Sequence, residues 1–359
     1  MSLETETKGQ EHSVATLLAA YGQKAGLSQE LQPFSEGATF AERLARNPYL
    51  MAPMAGVSDA AWRIMARAGG AGLAYTEMVS VAGIHYGGEK TWSLVLPDEV
   101  EPDIAVQLFG SKPEQFSEAA ALISERLGER LALIDINMAC PVPKVTRKGE
   151  GSALLDDPER ACEIVRAVAH HTNVPVTAKI RIGRTSERMV GPEFAKRLED
   201  AGVAALAVHG RYASQLYRGT SDVALVDKVA RAVEIPVIGS GDVFSPQDAV
   251  RMVKETACTA AFIARGTYGN PWIFADAQNL ACTGQSTLHT PAQRVYALEL
   301  HLRLLAATNA HLVRGRSIAA WYLKGMEGAR HWREKAMACV SLDDFLELLA
   351  SIRKQLGLA

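Results

Sequence analysis

From Tyr49 onward, short apolar runs alternate with amphipathic stretches. An apolar run of four to eight residues that stops at polar, glycine or proline positions predicts a buried strand. Apolar residues recurring every three or four positions predict a helix packed by one face. On this reading strands cover 49–54, 72–76, 104–109, 131–136, 176–181, 204–208, 236–239 and 259–264. Helices cover 59–68, 113–127, 157–171, 192–200, 222–233 and 246–256, with one more near Pro271. Repeated strand-then-helix order argues for parallel pairing. Eight such units over about 220 residues match a (β/α)8 TIM barrel in repeat number and size. A doubly wound open sheet shows the same alternation. Two features favour the barrel: no GxGxxG opens the first helix, and every strand ends in a polar or glycine-bearing tip.

The flanks read differently. Residues 1–47 carry six acids and four bases, with helical spacing only over Val14 to Tyr21 and Phe40 to Leu44, so a loose, partly helical extension is expected. Residues 48–284 would form the barrel domain. A linker is expected over 275–290, and apolar spacing over 295–307, 317–326 and 345–356 predicts a small C-terminal helical domain within 285–359.

Composition changes this picture little. The chain of 359 residues is 48% hydrophobic, enough for a large core, and its net charge is only −2. Residues 291–359 hold ten Lys/Arg against six Asp/Glu, so a mildly basic tail follows an acidic body. Arg294, Arg303, Arg314, Arg316 and Lys324 are interleaved there with Trp321, Tyr322 and Trp332, a mixture that suits nucleic acid or merely a solvated helical face. Five cysteines, far apart and without CxxC spacing, argue against a disulfide scaffold or a zinc site. No apolar run reaches the ~18 residues of a membrane span, and Met1 to Gln10 is charged rather than signal-like, so a cytoplasmic protein with no membrane or metal partner is expected. A monomer is assumed.

The chemistry should lie where the strands end, because side chains just past each apolar run converge at one mouth of a parallel barrel. These tips are Ala52 to Gly56, Gln107, Asn137 and Cys140, Lys179 and Arg181, His209 to Arg211, Gly239 to Asp242, and Ala264 to Gly266. They supply hydrogen bonders, cations and glycines, without paired carboxylates. The glycine-bearing tips of the last two strands, with Arg265, could bring backbone N–H groups onto a phosphate. A phosphate there, an amide at Gln107 and an inward lysine at Lys179 describe a site for FMN. Cys140 follows a strand and precedes Pro141, Pro143 and a basic, glycine-containing loop. A thiol near its reference pKa of roughly 8.5 is protonated at neutral pH and can serve as a general acid. Ordinary turn glycines, a strand-end lysine and a packed cysteine are the competing structural readings.

Six segments together resemble the tRNA-dihydrouridine synthases, flavin enzymes that reduce a uracil base in tRNA. They are Ala52 to Val57 with Asp59, Gln107 to Gly110, Asp135 to Met138 with Cys140-Pro141, Arg147 to Gly149 through Gly151 to Leu154, Val208 to Arg211, and Gly269 to Trp272. The likeness is strongest to the bacterial B-type branch, whose Cys140 to Val145 and Trp321 to Gly325 segments recur here. The resemblance implies that Pro53, Met54 and Ala55 contact the flavin, Gln107 and Lys179 bond its ring and His209 supports it. It further implies that Ser240, Gly241, Asp242, Ala264 and Arg265 hold its phosphate. Cys140 would protonate C5 of the uracil after hydride reaches C6 from FMN, which NADPH or NADH re-reduces. Asn137, Lys144, Arg147 and Lys148 would face the substrate tRNA, and the helical tail would bind it. Ala139 stands where the family has glycine, and would displace the thiol if that position needs a positive φ. Smaller departures are Ser58, Ser240, Ala264, Tyr212 and Ala213. A free-pyrimidine FMN oxidoreductase, a non-catalytic RNA-binding protein and a non-flavin phosphate-binding barrel enzyme are the alternatives.

Overall fold

The structure is a computed structural model that describes residues 13–34 and 39–358. The expectation for Met1 to Gln10 lies outside the described residues. Eight parallel strands form one sheet: β1 (Tyr49–Met51), β2 (Tyr75–Ser80), β3 (Ile104–Phe109), β4 (Leu131–Met138), β5 (Val176–Arg181), β6 (Ala205–His209), β7 (Val237–Ser240) and β8 (Ala260–Ile263). From β2 to β8 each pairs with the next in chain order, and β8 returns to β1 with Tyr49 opposite Ala261. A parallel bridge between Met51 and Ala74 closes the ring. Helices follow the strands on the outside, as the (β/α)8 reading requires.

The strands are buried on both faces. All eight residues of β4 and all six of β5 are buried. A small apolar cluster containing Leu50, Leu73, Tyr75, Leu133, Ile238 and Phe262 is separate from the larger shell between strands and helices.

Two strands end later than expected. Residues 72–76 were expected to be strand, whereas β2 runs from Tyr75 to Ser80. Its polar Thr76, Glu77 and Ser80 mask it in an apolar pattern. β4 continues through Asn137 to Met138 for the same reason. β1 stops at Met51, before the Met54–Ser58 turn in which Val57 and Ser58 donate their amides to the Met54 carbonyl. A short antiparallel pair, Gly183–Thr185 with Arg188–Met189, follows β5 and was not expected.

Helix α1 (Val14–Ala25) is capped by Ser13 and buries Val14, Leu17, Leu18 and Ala25. Helix α2 (Ala60–Ala68) follows β1 and is capped by Asp59, which accepts from the Trp62 amide. The C-terminal region is four helices: α3 (Pro291–Ala307), α4 (Arg314–Tyr322), α5 (Ala329–Ala338) and α6 (Leu342–Gln355). α1 lies along α3, so the described part of the N-terminal segment is packed rather than loose. Only Trp332 and Ala336 of α5 are buried, a stripe too thin to reveal it in the sequence. The expected linker is shorter, because helix Ile273–Thr283 occupies its first half. Among the described residues no helix is long and apolar enough to cross a membrane.

Candidate active site

Because every strand runs the same way, the eight tips share one end of the barrel, and they enclose a cavity of about 610 Å³. Its wall includes Pro53, Met54 and Ala55 after β1, Gln107 on β3, Asn137 and Cys140 at the end of β4, and Lys179 on β5. It continues through His209 on β6, Ser240, Gly241 and Asp242 at β7, and Ala264 and Arg265 at β8. Lys144 also reaches the wall, from the exposed turn Pro143–Thr146. Arg147 and Lys148 are exposed in the same loop but do not line the cavity. Thus two of the sixteen anticipated site residues lie apart from the rest.

Register explains the convergence on one side. Gln107 is opposite Asp135, Asp135 opposite Thr177, and Asn137 opposite Lys179, so these side chains alternate in two layers across β3, β4 and β5. Gln107 donates Nε2–H to Asp135 Oδ2 at 2.5 Å, and Thr177 donates its hydroxyl to Oδ1 at 2.6 Å. Asn137 donates to Gln107 Oε1 at 2.8 Å and accepts from the amides of Ala139 and Cys140 at 3.1 and 2.9 Å. Arg181, only 2% exposed, donates Nε–H to the Ala139 carbonyl at 2.9 Å and holds the carbonyls of Tyr212 and Leu216. The Cys140 turn is therefore gripped from Asn137 on one side and Arg181 on the other. Ala139 does not take a positive φ, so its methyl leaves that turn unstrained.

Electrostatics at the tips follow from burial among cations. Desolvation pushes the Cys140 thiol up, against a backbone hydrogen bond at Val142 and the charges of Arg181 and Lys179, so the sulfur keeps its proton at neutral pH. Lys179 falls to about 8, mainly by burial and then by the nearby Arg181. Asp135 rises to about 6 by burial, although hydrogen bonds from Thr177 and Gln107 and the charge of Lys179 pull the other way. Burial, together with Lys179, Arg181, Arg211 and Arg265, holds His209 well below its usual range. His209 is accordingly neutral, and its Nε2 accepts from Arg211 at 3.3 Å, which leaves the proton on Nδ1.

The β7–β8 edge has the makings of an anion site. Among the described residues the backbone N–H groups of Gly241, Asp242, Val243 and Arg265 have no hydrogen-bond partner in the protein. Asp242 orders this edge: it accepts from Arg211 at 2.6 Å, the Ser221 amide at 2.8 Å and Arg265 at 3.0 Å. Gly241 has φ +117 and no room for a Cβ, which would stand 2.1 Å from Ser221 Oγ. Free amides beside Arg265, opposite a buried lysine and a half-freed amide at Gln107, fit the phosphate and ring ends of FMN.

The rim also holds residues the sequence pattern did not single out: Met78, Val142, Tyr217, Phe244 and Tyr268 line the same cavity. Tyr217 packs over Arg181 and Phe244 over Arg265, at 5.8 and 5.0 Å from ring centre to guanidinium. Tyr268 stacks on Trp321 of α4 with centroids 4.0 Å apart, which joins the cavity wall to the C-terminal helices. Among the described residues no group of three or more His, Cys, Asp or Glu could hold a metal ion.

The sequence profile of the family described as dihydrouridine synthase (Dus) matches residues 50–356. The chain belongs to the dihydrouridine synthase family. It is thereby a flavin-dependent oxidoreductase, and the matched range takes in both the barrel and the C-terminal helices. A "Probable tRNA-dihydrouridine synthase" of Treponema pallidum is 36% identical over 321 residues, covering 86% of this chain and 93% of that protein. "tRNA-dihydrouridine synthase B" of Xanthomonas axonopodis pv. citri is 42% identical over 238 residues, 66% of this chain and 70% of the relative. The protein of the same name in Pseudomonas aeruginosa is 36% identical and covers 80% and 87%.

Proposed function

We propose that the protein reduces the C5=C6 bond of uridine in tRNA, with FMN as its cofactor, NADPH or NADH as reductant and Cys140 as proton donor. The observation that carries this reading is a thiol kept protonated by burial on the wall of the cavity that also holds Lys179, Gln107 and the free amides of the β7–β8 edge. Membership of the family and the printed names of the relatives point to the same substrate.

FMN, when bound, supplies the hydride that adds to C6 of the uracil. Everything else falls to the chain. Hydride addition leaves enolate-like charge over C5 and O4, and the Cys140 thiol quenches it by giving its proton to C5. Lys179, protonated below about 8, places positive charge where a reduced flavin ring would be negative. Gln107 orients the ring through its remaining N–H, and neutral His209 offers Nδ1–H without adding another cation. Gly241, Asp242, Val243 and Arg265 anchor the phosphate, with Ser240 and Ala264 beside them. Pro53, Met54 and Ala55 close the β1 side, and Asn137 holds the Cys140 turn. Lys144, Arg147 and Lys148 lie on an exposed loop beside the mouth, where they meet tRNA phosphates as the target base leaves its stack.

The test is to map dihydrouridine in tRNA from cells that lack this protein, then in the same cells carrying Cys140→Ala. One or more positions should lose dihydrouridine, and the variant should not restore them. Restoration to wild-type levels would remove Cys140 from its role, and an unchanged map in the deletion would remove the substrate.

A further inference from the structure

The hydrogen bonds that run from the barrel interior to Cys140 have a direction. At one end the ionised carboxylate of Asp135 can only accept, and at the other the backbone amides of Ala139 and Cys140 can only donate. Between them stand two side-chain amides, each of which could in principle face either way. Gln107 must present Nε2 to Asp135, which turns Oε1 toward Asn137. Asn137 must then present Nδ2 to Gln107, which turns Oδ1 toward the Cys140 turn. All three side chains are buried, Asp135 and Gln107 at 1% exposure and Asn137 at 5%, so a lost partner leaves a buried polar group poorly compensated.

We propose that Asp135 is a positioning residue, which sets the orientation of the Gln107 amide toward the flavin ring and, through Asn137, seats the turn that carries the Cys140 thiol. This deepens the reading of the site given above and rests on it. Asp135 touches neither the cavity nor the thiol, and works only through the two amides. Neutralising the carboxylate destroys the polarity, because a carboxylic acid or a carboxamide can donate to Gln107 as well as accept. Gln107 can then invert, offering the ring an acceptor in place of an N–H and leaving Asn137 two donors facing each other.

Acidification provides the same perturbation in the unaltered protein. Lys179 on β5 is the titratable group whose charge acts on Asp135, Tyr75 on β2 feels the Asp135 charge in turn, and neither changes protonation near 6. Burial and the surrounding cations hold His209 well below its usual range. Flavin affinity, read by fluorescence quenching, and the single-turnover rate of dihydrouridine formation should therefore both fall as pH drops through about 6. Asp135→Asn should weaken flavin binding about tenfold at neutral pH, lower that rate at least as much with little change in KM for tRNA, and abolish the acid limb of both curves. Thr177→Val removes a hydrogen bond that holds the Asp135 pKa down, and should move both acid limbs to higher pH. It carries the test if Asp135→Asn does not fold.

An Asp135→Asn protein with wild-type affinity, rate and acid limb would overturn the proposal, as would limbs that stay in place in Thr177→Val. If Cys140→Ala abolishes product while these variants behave as wild type, only the role of Asp135 fails. If Cys140→Ala retains full yield, the underlying reading of the site fails first.

Discussion

Lys179 is the residue whose titration should be easiest to see. Its ammonium loses charge as pH rises through about 8, so an anionic ligand loses its partner in the same interval. Flavin titrations between pH 7 and 9.5 should show the dissociation constant rising above about 8, and Lys179→Met should bind more weakly at pH 7 but without that rise. The Cys140 thiol is pushed the other way, upward, by its burial. Cys140, His209 and Arg265 were legible in the sequence because each follows an apolar run at a point where a parallel barrel must turn, and Lys179 because it is a cation set inside a strand. Asp135 was visible only as one acid inside an apolar strand, and nothing in the pattern says that it accepts from both neighbouring strands. Arg147 and Lys148 lie close to Cys140 in sequence but outside the cavity wall, on the exposed loop where the resemblance places tRNA contacts.

At the scale of elements, the C-terminal helices do more than extend the surface. Arg314 at the start of α4 donates to Asp59 Oδ2 at 2.5 Å and to Glu77 Oε1 at 3.3 Å, and Glu77 Oε2 accepts the Gly56 amide at 2.5 Å. One guanidinium thus ties α4 to the cap of α2, to β2 and, through Glu77, to the Met54–Ser58 turn. Removing it leaves two facing carboxylates beside a turn that lines the cavity. Arg314→Ala should weaken flavin binding by roughly tenfold, equivalent to about 1.4 kcal/mol. The protein as a whole should lose only about 1 kcal/mol, because the pair is partly exposed. Fluorescence titration and thermal melting would separate the two effects. Gly269 makes a similar point through shape: a Cβ there would lie 2.5 Å from the Trp321 backbone, so only glycine lets the end of the barrel approach α4 this closely. Sequence periodicity found α3, α4 and α6 but not these seams, which depend on which faces meet.

For the whole molecule, the alternation of strands and helices was enough to read a barrel, since eight repeats leave few other layouts. The assignment of residues 13–34 was harder, because a twelve-residue helix with a buried face looks weak until its partner is known. That partner is α3, nearly three hundred residues away, and Leu18 on the shared face is 1% exposed. Leu18→Ala should cost about 2–5 kcal/mol in urea or thermal unfolding. A purely solvated extension would show no loss.

The same union of α1 with α3 bears on how the chain matures during synthesis. The Ala25 carbonyl takes a hydrogen bond from Trp272, and the Ser28 amide binds the Ala68 carbonyl close to the β1–β2 join. Segment 13–34 leaves the ribosome well before α3, which receives its apolar stripe. Until then its apolar stripe stands bare on the nascent chain, where a holding chaperone would find it.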